Sequence, residues 1–203
     1  MTITINGTGT VTGVSVGGLP DGIVDTDMLA NDAVATAKIA NDAVDATKIG
    51  SNTFVSYAII CDQKAQNTHA GTFTSGAWRT RDLNTEISDA DGIVAIASNQ
   101  FTLGAGTYLI EWAAPGCRCN THVARLFDIT GDAAVQLGKN AFADTSVDGD
   151  QTDATGSARV TITANNTYEI QHQCTSTSNT FGLGLAHNLG AEIYTVVKIF
   201  KEA

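Results

Sequence analysis

A ten-residue repeat occupies residues 20–49 and constrains the fold more than any other feature of the sequence. The units ANDAVATAKI (30–39) and ANDAVDATKI (40–49) are nearly identical, and PDGIVDTDML (20–29) fits the same frame. An aliphatic residue at every fifth position matches neither the period of a helix, about 3.6 residues, nor that of a strand, about two. The chain must therefore turn within each unit. The aliphatic residues of the repeat are Val24, Leu29, Val34, Ile39, Val44 and Ile49.

The repeat predicts a stalk of short helical turns over residues 20–50. Asn31 or Asp32 is a good N-cap for the Ala-rich segment that follows, and the chain can bend at Ala40 and Asn41. One copy buries too few aliphatic side chains to offset the entropy of ordering the stalk. Identical copies around an axis would bring these side chains into contact. The six aliphatic residues are therefore predicted to hold an oligomeric rod together.

The rest of the chain has the composition of a β-protein. Of 203 residues, 43% are hydrophobic and only 16% are charged, with 20 Gly and 2 Pro. Residues 51–203 alternate strand-like runs with turns rich in Gly, Asn and Asp, which predicts one all-β domain. Only this region is long enough to build its own core.

Residues 1–19 alternate Thr with aliphatic residues and are rich in Gly, which predicts an extended arm. Such a segment cannot form a core, but it suits addition to the sheet edge of another protein. Main-chain hydrogen bonds would then supply affinity, and aliphatic side chains would fix the register. The anchoring residues predicted for this arm are Ile3, Ile5, Val11, Val14 and Val16.

Several strand-like runs are apolar on both faces. In TYLIEW, Tyr108, Ile110 and Trp112 share one face, while Leu109 points the other way. In EIYTVVKIF (192–200), Ile193, Val197 and Ile199 are expected on one face, and Tyr194, Val196 and Phe200 on the other. TFVSYAIIC (53–61) follows the same pattern. One face can line a sandwich core, and the other predicts contacts between subunits.

Charge and cysteine content exclude several classes of protein. The formal net charge is -10 with only 11 Lys and Arg residues, which argues against binding nucleic acid or anionic membranes. The N-terminal stretch has neither a basic secretion signal nor a long apolar span, so we expect a protein made and used in solution. Four cysteines are too few for a disulfide scaffold and are predicted to be buried thiols: Cys61, Cys117, Cys119 and Cys174.

No motif predicts a catalytic residue or a cofactor. Cys117 and Cys119 with His122 resemble part of a metal site, but a fourth ligand is not visible, so simple burial is favoured. The acidic run at 148–153 lacks the spacing of a calcium loop and is interpreted as a solvated turn. His172 alternates with apolar residues and is expected in the core or at an interface. We therefore predict no enzyme and no metal site.

The two tryptophans differ in their sequence context. Trp112 alternates with core residues, whereas Trp78 is flanked by Gly76, Arg79 and Arg81. Aromatic and Arg side chains are enriched at contact sites, so Trp78, Arg79 and Arg81 are predicted as a surface contact. The glycines of GLGLAHNLGAE (182–192) precede a strand, not a helix, and are expected to allow turns or close packing.

Two sets of segments resemble known families. FTLGAGTYLIEW (101–112) and EIYTVVKIF resemble the trimeric jelly roll of the tumour necrosis factor and complement globular-head type. SGAWRTRDLNTEISD (75–89), with the repeat and TITINGTGTVTG (2–13), resembles fibre and head-decoration proteins of phages, cyanophages especially. The resemblance implies a homotrimer whose threefold axis runs from the stalk to a C-terminal jelly-roll β-sandwich. It transfers no catalytic residue.

These observations predict a structural protein of a phage virion, made in the host cytoplasm. It would be a capsid decoration or cement protein, or a head fibre, bound through its arm to the major capsid protein or another virion protein. The alternative is a tail-fibre adhesin whose jelly-roll tip binds a glycan or protein of the host surface. Aromatic content of 6% and short loops of Asp, Thr, Gly and Ala favour the decoration protein.

Overall fold

The structure, a computed structural model, describes residues 54–202 and, outside this range, residue 39. The arm (1–19) and the stalk (20–50) lie outside the described residues, apart from Ile39, whose side chain is exposed. The expectations for both segments stay predictions. The arm and stalk contacts that lie outside the described residues are Ile3, Ile5, Val11, Val14, Val16, Val24, Leu29, Val34, Val44 and Ile49.

Every regular element within residues 54–202 is a β-strand. In this described region no helix is long and apolar enough to cross a bilayer. The strands are β1 (Phe54–Lys64), β2 (Arg79–Thr80), β3 (Thr85–Ser88), β4 (Val94–Ala97), β5 (Gln100–Leu103), β6 (Gly106–Cys117), β7 (Asn120–Asp128), β8 (Ala133–Leu137), β9 (Ala141–Ala143), β10 (Gln151–Ile162), β11 (Asn166–Cys174) and β12 (Glu192–Glu202).

The strands form two antiparallel sheets. The five-stranded sheet has the order β10-β6-β12-β1-β3. The seven-stranded sheet has the order β4-β5-β11-β7-β8, with β2 paired to β11 and β9 paired to β7. From β5 to β7 and from β9 to β12 the chain crosses repeatedly between the two sheets, as it does in a jelly roll. The all-β prediction is confirmed, and the two antiparallel sheets form a jelly-roll-like sandwich.

Alternation along β6 decides which of its side chains reach the core. Tyr108, Ile110 and Trp112 point inward and are at most 3% exposed, whereas Leu109 faces the other way and is half-buried. The predicted faces of this strand are confirmed. Inward side chains of both sheets meet in one continuous hydrophobic core.

The alternation predicted for β12 is wrong in the first half of the strand. Val197 is fully buried as predicted, but Ile193, expected on the same face, is 44% exposed. Tyr194, expected on the opposite face, is buried. The pairing of β1 with β12 is irregular beside this stretch, between Cys61 and Gln63. Such an irregularity moves the neighbouring side chains to the other face, which the sequence pattern does not reveal.

The sandwich has two ends that differ in structure. At one end, here called the base, β1 begins with Phe54 paired to Glu202 near the end of β12. At the opposite end, here called the loop end, β1 finishes with Lys64 paired to Glu192. Because β1 and β12 are neighbours, the chain enters and leaves the sandwich at the base. The loop end carries three connecting segments, residues 65–78, 144–150 and 175–191.

Gly184 permits a close contact at the loop end. It has a φ of +152°, and an added Cβ would lie 2.2 Å from Cδ1 of Tyr194. The Tyr194 hydroxyl in turn donates a hydrogen bond to the carbonyl oxygen of Thr68, at 2.7 Å. The prediction that glycines in residues 182–192 allow close packing is confirmed at this position.

Candidate functional site

The outer face of the five-stranded sheet, the side turned away from the core, carries a row of apolar side chains. Tyr57, Phe200 and Leu109 are paired across β1, β12 and β6, and we call them the apolar row. Tyr57 is 53% exposed and Val55 is 49% exposed. Phe54 packs its ring against that of Phe200, with centroids 5.1 Å apart. This face has the residue types of a contact surface.

A groove of about 790 Å³ continues the outer face towards β10. Its lining combines charge with apolar surface: Glu111 and Lys198 are paired in register. Beside them lie Leu137, the last residue of β8, and Lys139 from the segment that follows. Trp112 also contributes to the lining, and its buried indole N–H has no hydrogen-bond partner within the described residues. The groove and the apolar row therefore form one mixed surface.

Trp78 lies on the outer side of the other sheet, and a cation covers its ring. The guanidinium carbon of Arg125 is 4.0 Å from the centroid of Trp78 and 4.9 Å from that of Phe127. Gln171 Oε1 accepts hydrogen bonds from Arg125 Nε at 2.8 Å and Nη2 at 2.6 Å. Arg79 is exposed, next to Trp78. Trp78 and Arg79 thus lie at the surface, and the Arg125 guanidinium covers one face of the partly exposed indole ring.

The prediction that Arg81 is a surface contact is wrong, because its side chain is 1% exposed. Its guanidinium donates to Thr195 Oγ1 at 2.7 Å, to the Pro115 carbonyl oxygen at 3.2 Å and to the Leu183 carbonyl oxygen at 2.6 Å. These neutral acceptors hold the side chain inside the sandwich. Burial lowers the pKa of Arg81 to about 10, so it remains charged at neutral pH.

Two histidines form a buried hydrogen-bonded pair beside this arginine. His122 Nδ1 and His172 Nε2 are 2.9 Å apart, and His122 Nε2 lies 2.9 Å from Thr152 Oγ1. Thr152 donates its own hydroxyl proton to the carbonyl oxygen of Phe142, so it must accept from His122. His122 therefore carries its proton on Nε2, and His172 donates from Nε2 to His122 Nδ1. His172 Nδ1 is left as a buried lone pair without a partner in the described region.

Both rings are held in the neutral state. Burial lowers the pKa of His122 to about 4, and the positive charge of Arg81 adds to the effect. Burial also lowers the pKa of His172 well below its ordinary value, with further contributions from Arg81 and His122. The core position predicted for His172 is confirmed. Nothing in the sequence, however, predicted that it pairs with His122.

All four cysteines are reduced and buried, as predicted. Cys119 and Cys174 belong to a second, smaller hydrophobic cluster with Phe73 and Ala143, near the loop end. Among the residues described, no three His, Cys, Asp or Glu side chains are placed to hold a metal ion.

The first half of the acidic run at 148–153 lies in a turn whose carboxylates bond to nearby groups, whereas Asp153 lies on β10. Asp148 is exposed and pairs with Arg118, with Oδ1 2.6 Å from Nη1. Asp150 accepts from the backbone N–H of Asp144, and Asp144 accepts from the backbone N–H of Ser146 at 2.8 Å. The predicted acidic turn is confirmed up to Asp150 and is wrong for Asp153, which belongs to a strand.

At the loop end, one carboxylate fixes two segments to each other. Glu192 accepts backbone hydrogen bonds from Asn67 at 3.0 Å, His187 at 3.0 Å and Asn188 at 2.8 Å. These bonds lower the pKa of Glu192, the one from His187 most strongly. Leu189, at the tip of the same segment, is 93% exposed. The tip is therefore open to solvent, while its two flanks are held in place.

No protein-family model and no curated protein matches the sequence. Solved structures show some similarity. The globular domain of zebrafish complement 1qA protein is 16% identical, with a TM-score of 0.47, over 72% of this chain and 96% of that one. Murine APRIL, crystallised at pH 8.0, is 6% identical, with a TM-score of 0.45, over 72% of this chain and 98% of that one. Similarity at this level concerns the backbone fold alone.

Proposed function

We propose that this chain is a non-enzymatic structural protein of a phage virion, displayed as a homotrimer on the capsid surface. The observation that carries the proposal is the apolar row with its exposed neighbours on the outer face of the five-stranded sheet. In an antiparallel sheet with one face on the core and the other in water, apolar inward residues usually alternate with polar outward residues. Here Tyr57, Leu109 and Phe200 break that pattern at the centre of the sheet, which is where a subunit contact would need them.

The repeat in residues 20–49 supports the same assembly. Its aliphatic side chains need other apolar side chains to pack against, and identical copies around one axis provide them. The resemblance of residues 75–89 and of the repeat to phage decoration and fibre proteins supports the virion as the location. The predicted arm supplies the attachment to the major capsid protein or another virion protein.

The adhesin alternative receives less support from the surface. An adhesin of this kind needs an exposed aromatic ring on which a sugar can stack, and the Arg125 guanidinium occupies one face of the Trp78 indole ring. Less of the aromatic surface is then free for a sugar. We therefore propose decoration of the capsid rather than recognition of a host glycan.

The full chain should be a trimer in solution. Light scattering at micromolar concentration is expected to give about three times the 21.1 kDa of one chain. Tyr57→Glu places a charge in the apolar row and should raise the midpoint concentration of trimer dissociation at least about tenfold. Phe142→Glu is the matched control, because Phe142 is 55% exposed, like Tyr57 at 53%, but lies on β9. A monomeric wild-type chain, or equal effects of the two variants, would contradict this assembly.

Removal of residues 1–19 should separate assembly from attachment. The truncated chain is expected to remain a soluble trimer, because the stalk and the head are retained. When mixed with undecorated phage particles, it should fail to bind, whereas the full chain should saturate its sites in electron micrographs. Full occupancy by the truncated trimer would show that the head is the docking end. Absence of binding by the full chain to any virion surface would overturn the proposed location.

A further inference from the structure

Two of the four buried thiols lie together in a place that the proposed function does not use. Cys119 precedes β7 directly, and Cys174 is the last residue of β11. Cys119 is fully buried, and Cys174 is 4% exposed. Both belong to the small cluster with Phe73 and Ala143, and neither Cys61 nor Cys117 belongs to it.

The pairing of β7 with β11 brings these two residues to the same point. Cys174 is paired with His122, three residues beyond Cys119 along β7. Past the end of the ladder, the backbone N–H of Ser176 donates to the carbonyl oxygen of Cys119 at 3.1 Å, so the two chains stay adjacent. Both side chains belong to the same small buried cluster, and each thiol shifts the pKa of the other, which places the two sulfurs close together. Two residues that are 55 positions apart in sequence therefore meet in one cluster.

We propose that Cys119 and Cys174 form an intramolecular disulfide bond when the protein meets hydrogen peroxide. The Cys174 thiolate attacks a peroxide oxygen, so that an S–O bond forms, the O–O bond breaks and hydroxide leaves. The Cys119 sulfur then attacks the Cys174 sulfur, so that the S–S bond forms and the S–O bond breaks. The protons released by the two thiols convert the departing hydroxides to water. Two thiols are oxidised while one peroxide is reduced to two waters.

The surroundings assign different roles to the two sulfurs. The neighbouring Cys119 lowers the pKa of the Cys174 thiol, and Ser176 and the positive charge of Arg79 add to this against the opposing effect of burial, so we assign Cys174 as the attacking group. The neighbouring Cys174, together with burial, raises the pKa of Cys119, which keeps its proton until the second step. Cys174 is also the residue of the pair that retains some exposure, 4% against 0% for Cys119.

The remaining cysteines lack these features. Burial raises the pKa of both Cys61 and Cys117, which disfavours their thiolates. Cys61 lies on β1 in the five-stranded sheet. Cys117 is separated from Cys119 by Arg118 alone, which has a φ of +50°. Oxidation should therefore link Cys119 to Cys174 and leave Cys61 and Cys117 as thiols.

The test uses the full chain, reduced, desalted, exposed to hydrogen peroxide and then alkylated. Tryptic digestion without reductant should yield residues 119–125 linked to residues 160–198, with the mass of two hydrogens lost. Reductant should separate these peptides again. The oxidised protein should melt roughly 5–10 °C higher than the reduced one, because the link closes a long loop of the unfolded chain.

Variants and competing products make the outcome decisive. A chain with Cys61→Ser and Cys117→Ser should retain the linked peptides, whereas Cys119→Ser should lose them and leave Cys174 oxidised singly. Peptide 82–118 linked to 119–125 would overturn the proposal, because it reports a bond between Cys117 and Cys119. An unmodified wild-type chain, or one whose Cys174 reaches the sulfinic acid without the link, would overturn it as well. The wild-type peptide map decides the question even where a variant folds poorly.

Discussion

Gly156→Ala is expected to destabilise the head severely, by at least about 3 kcal/mol. Gly156 on β10 is paired with Trp112 on β6. A Cβ at position 156 would lie 2.2 Å from Cζ2 and 2.5 Å from Cε2 of the Trp112 ring. The indole is rigid and only 3% exposed, so it cannot move aside without disturbing the core around it. Glycine is required here for space rather than for backbone conformation.

Urea denaturation of the full chain measures this effect. Gly104→Ala is the matched control, because its Cβ would come no closer than 3.8 Å to another atom, Asn165 Oδ1. That variant should stay within about 0.5 kcal/mol of the wild type. Replacing Trp112 by Leu in the Gly156→Ala chain should cost less than the sum of the two single changes, since the smaller side chain removes the clash. Equal midpoints for Gly156→Ala and Gly104→Ala would refute the steric explanation.

Acidification from pH 7 to about pH 4 is expected to remove several kcal/mol of stability through the His122–His172 pair. Both histidines have a lower pKa in the folded state than in the unfolded chain, so the unfolded chain binds protons first as the pH falls. Their contribution is therefore complete above the ordinary pKa of 6.5 and is lost as the pH falls from there towards the folded pKa of His122, about 4. The shift of His122 alone corresponds to ~3 kcal/mol.

Chemical denaturation at a series of pH values between 7.5 and 4.5 measures the slope. His172→Phe removes one proton-binding ring and should flatten the pH dependence clearly, although the variant loses the hydrogen bond to His122. His187→Gln is the control, because His187 is exposed at the loop end and should leave the slope unchanged. Burial raises the pKa of Asp62 and Asp153, and these carboxyls oppose the histidines over the lower part of the range. A wild-type stability that is flat or rises between pH 6.5 and 5 would contradict the assignment.

Much of the sandwich could be predicted from local pattern, and the errors have a common cause. Alternation placed Trp112 and His172 correctly in the core, because a strand has a period of two wherever its pairing is regular. The prediction for Arg81 failed, since it rested on the enrichment of Arg at contact sites, whereas buried acceptors from three distant segments receive the guanidinium. The stacking of Arg125 on Trp78 was missed for the same reason. Contacts between residues that are far apart in sequence leave no trace in a local pattern. The steric need for glycine at position 156, which comes from Trp112 on another strand, could not be predicted for the same reason.

The pairing of Phe54 with Glu202 at the base has a practical consequence for engineering. A peptide genetically fused at the end of β12 would emerge at the base, beside the first residue of β1. The segment around Leu189 offers the opposite geometry, since its tip is open while Glu192 anchors its flanks. An epitope inserted there would be presented at the far end of the sandwich. The choice between these two positions sets at which end of the sandwich a cargo is displayed.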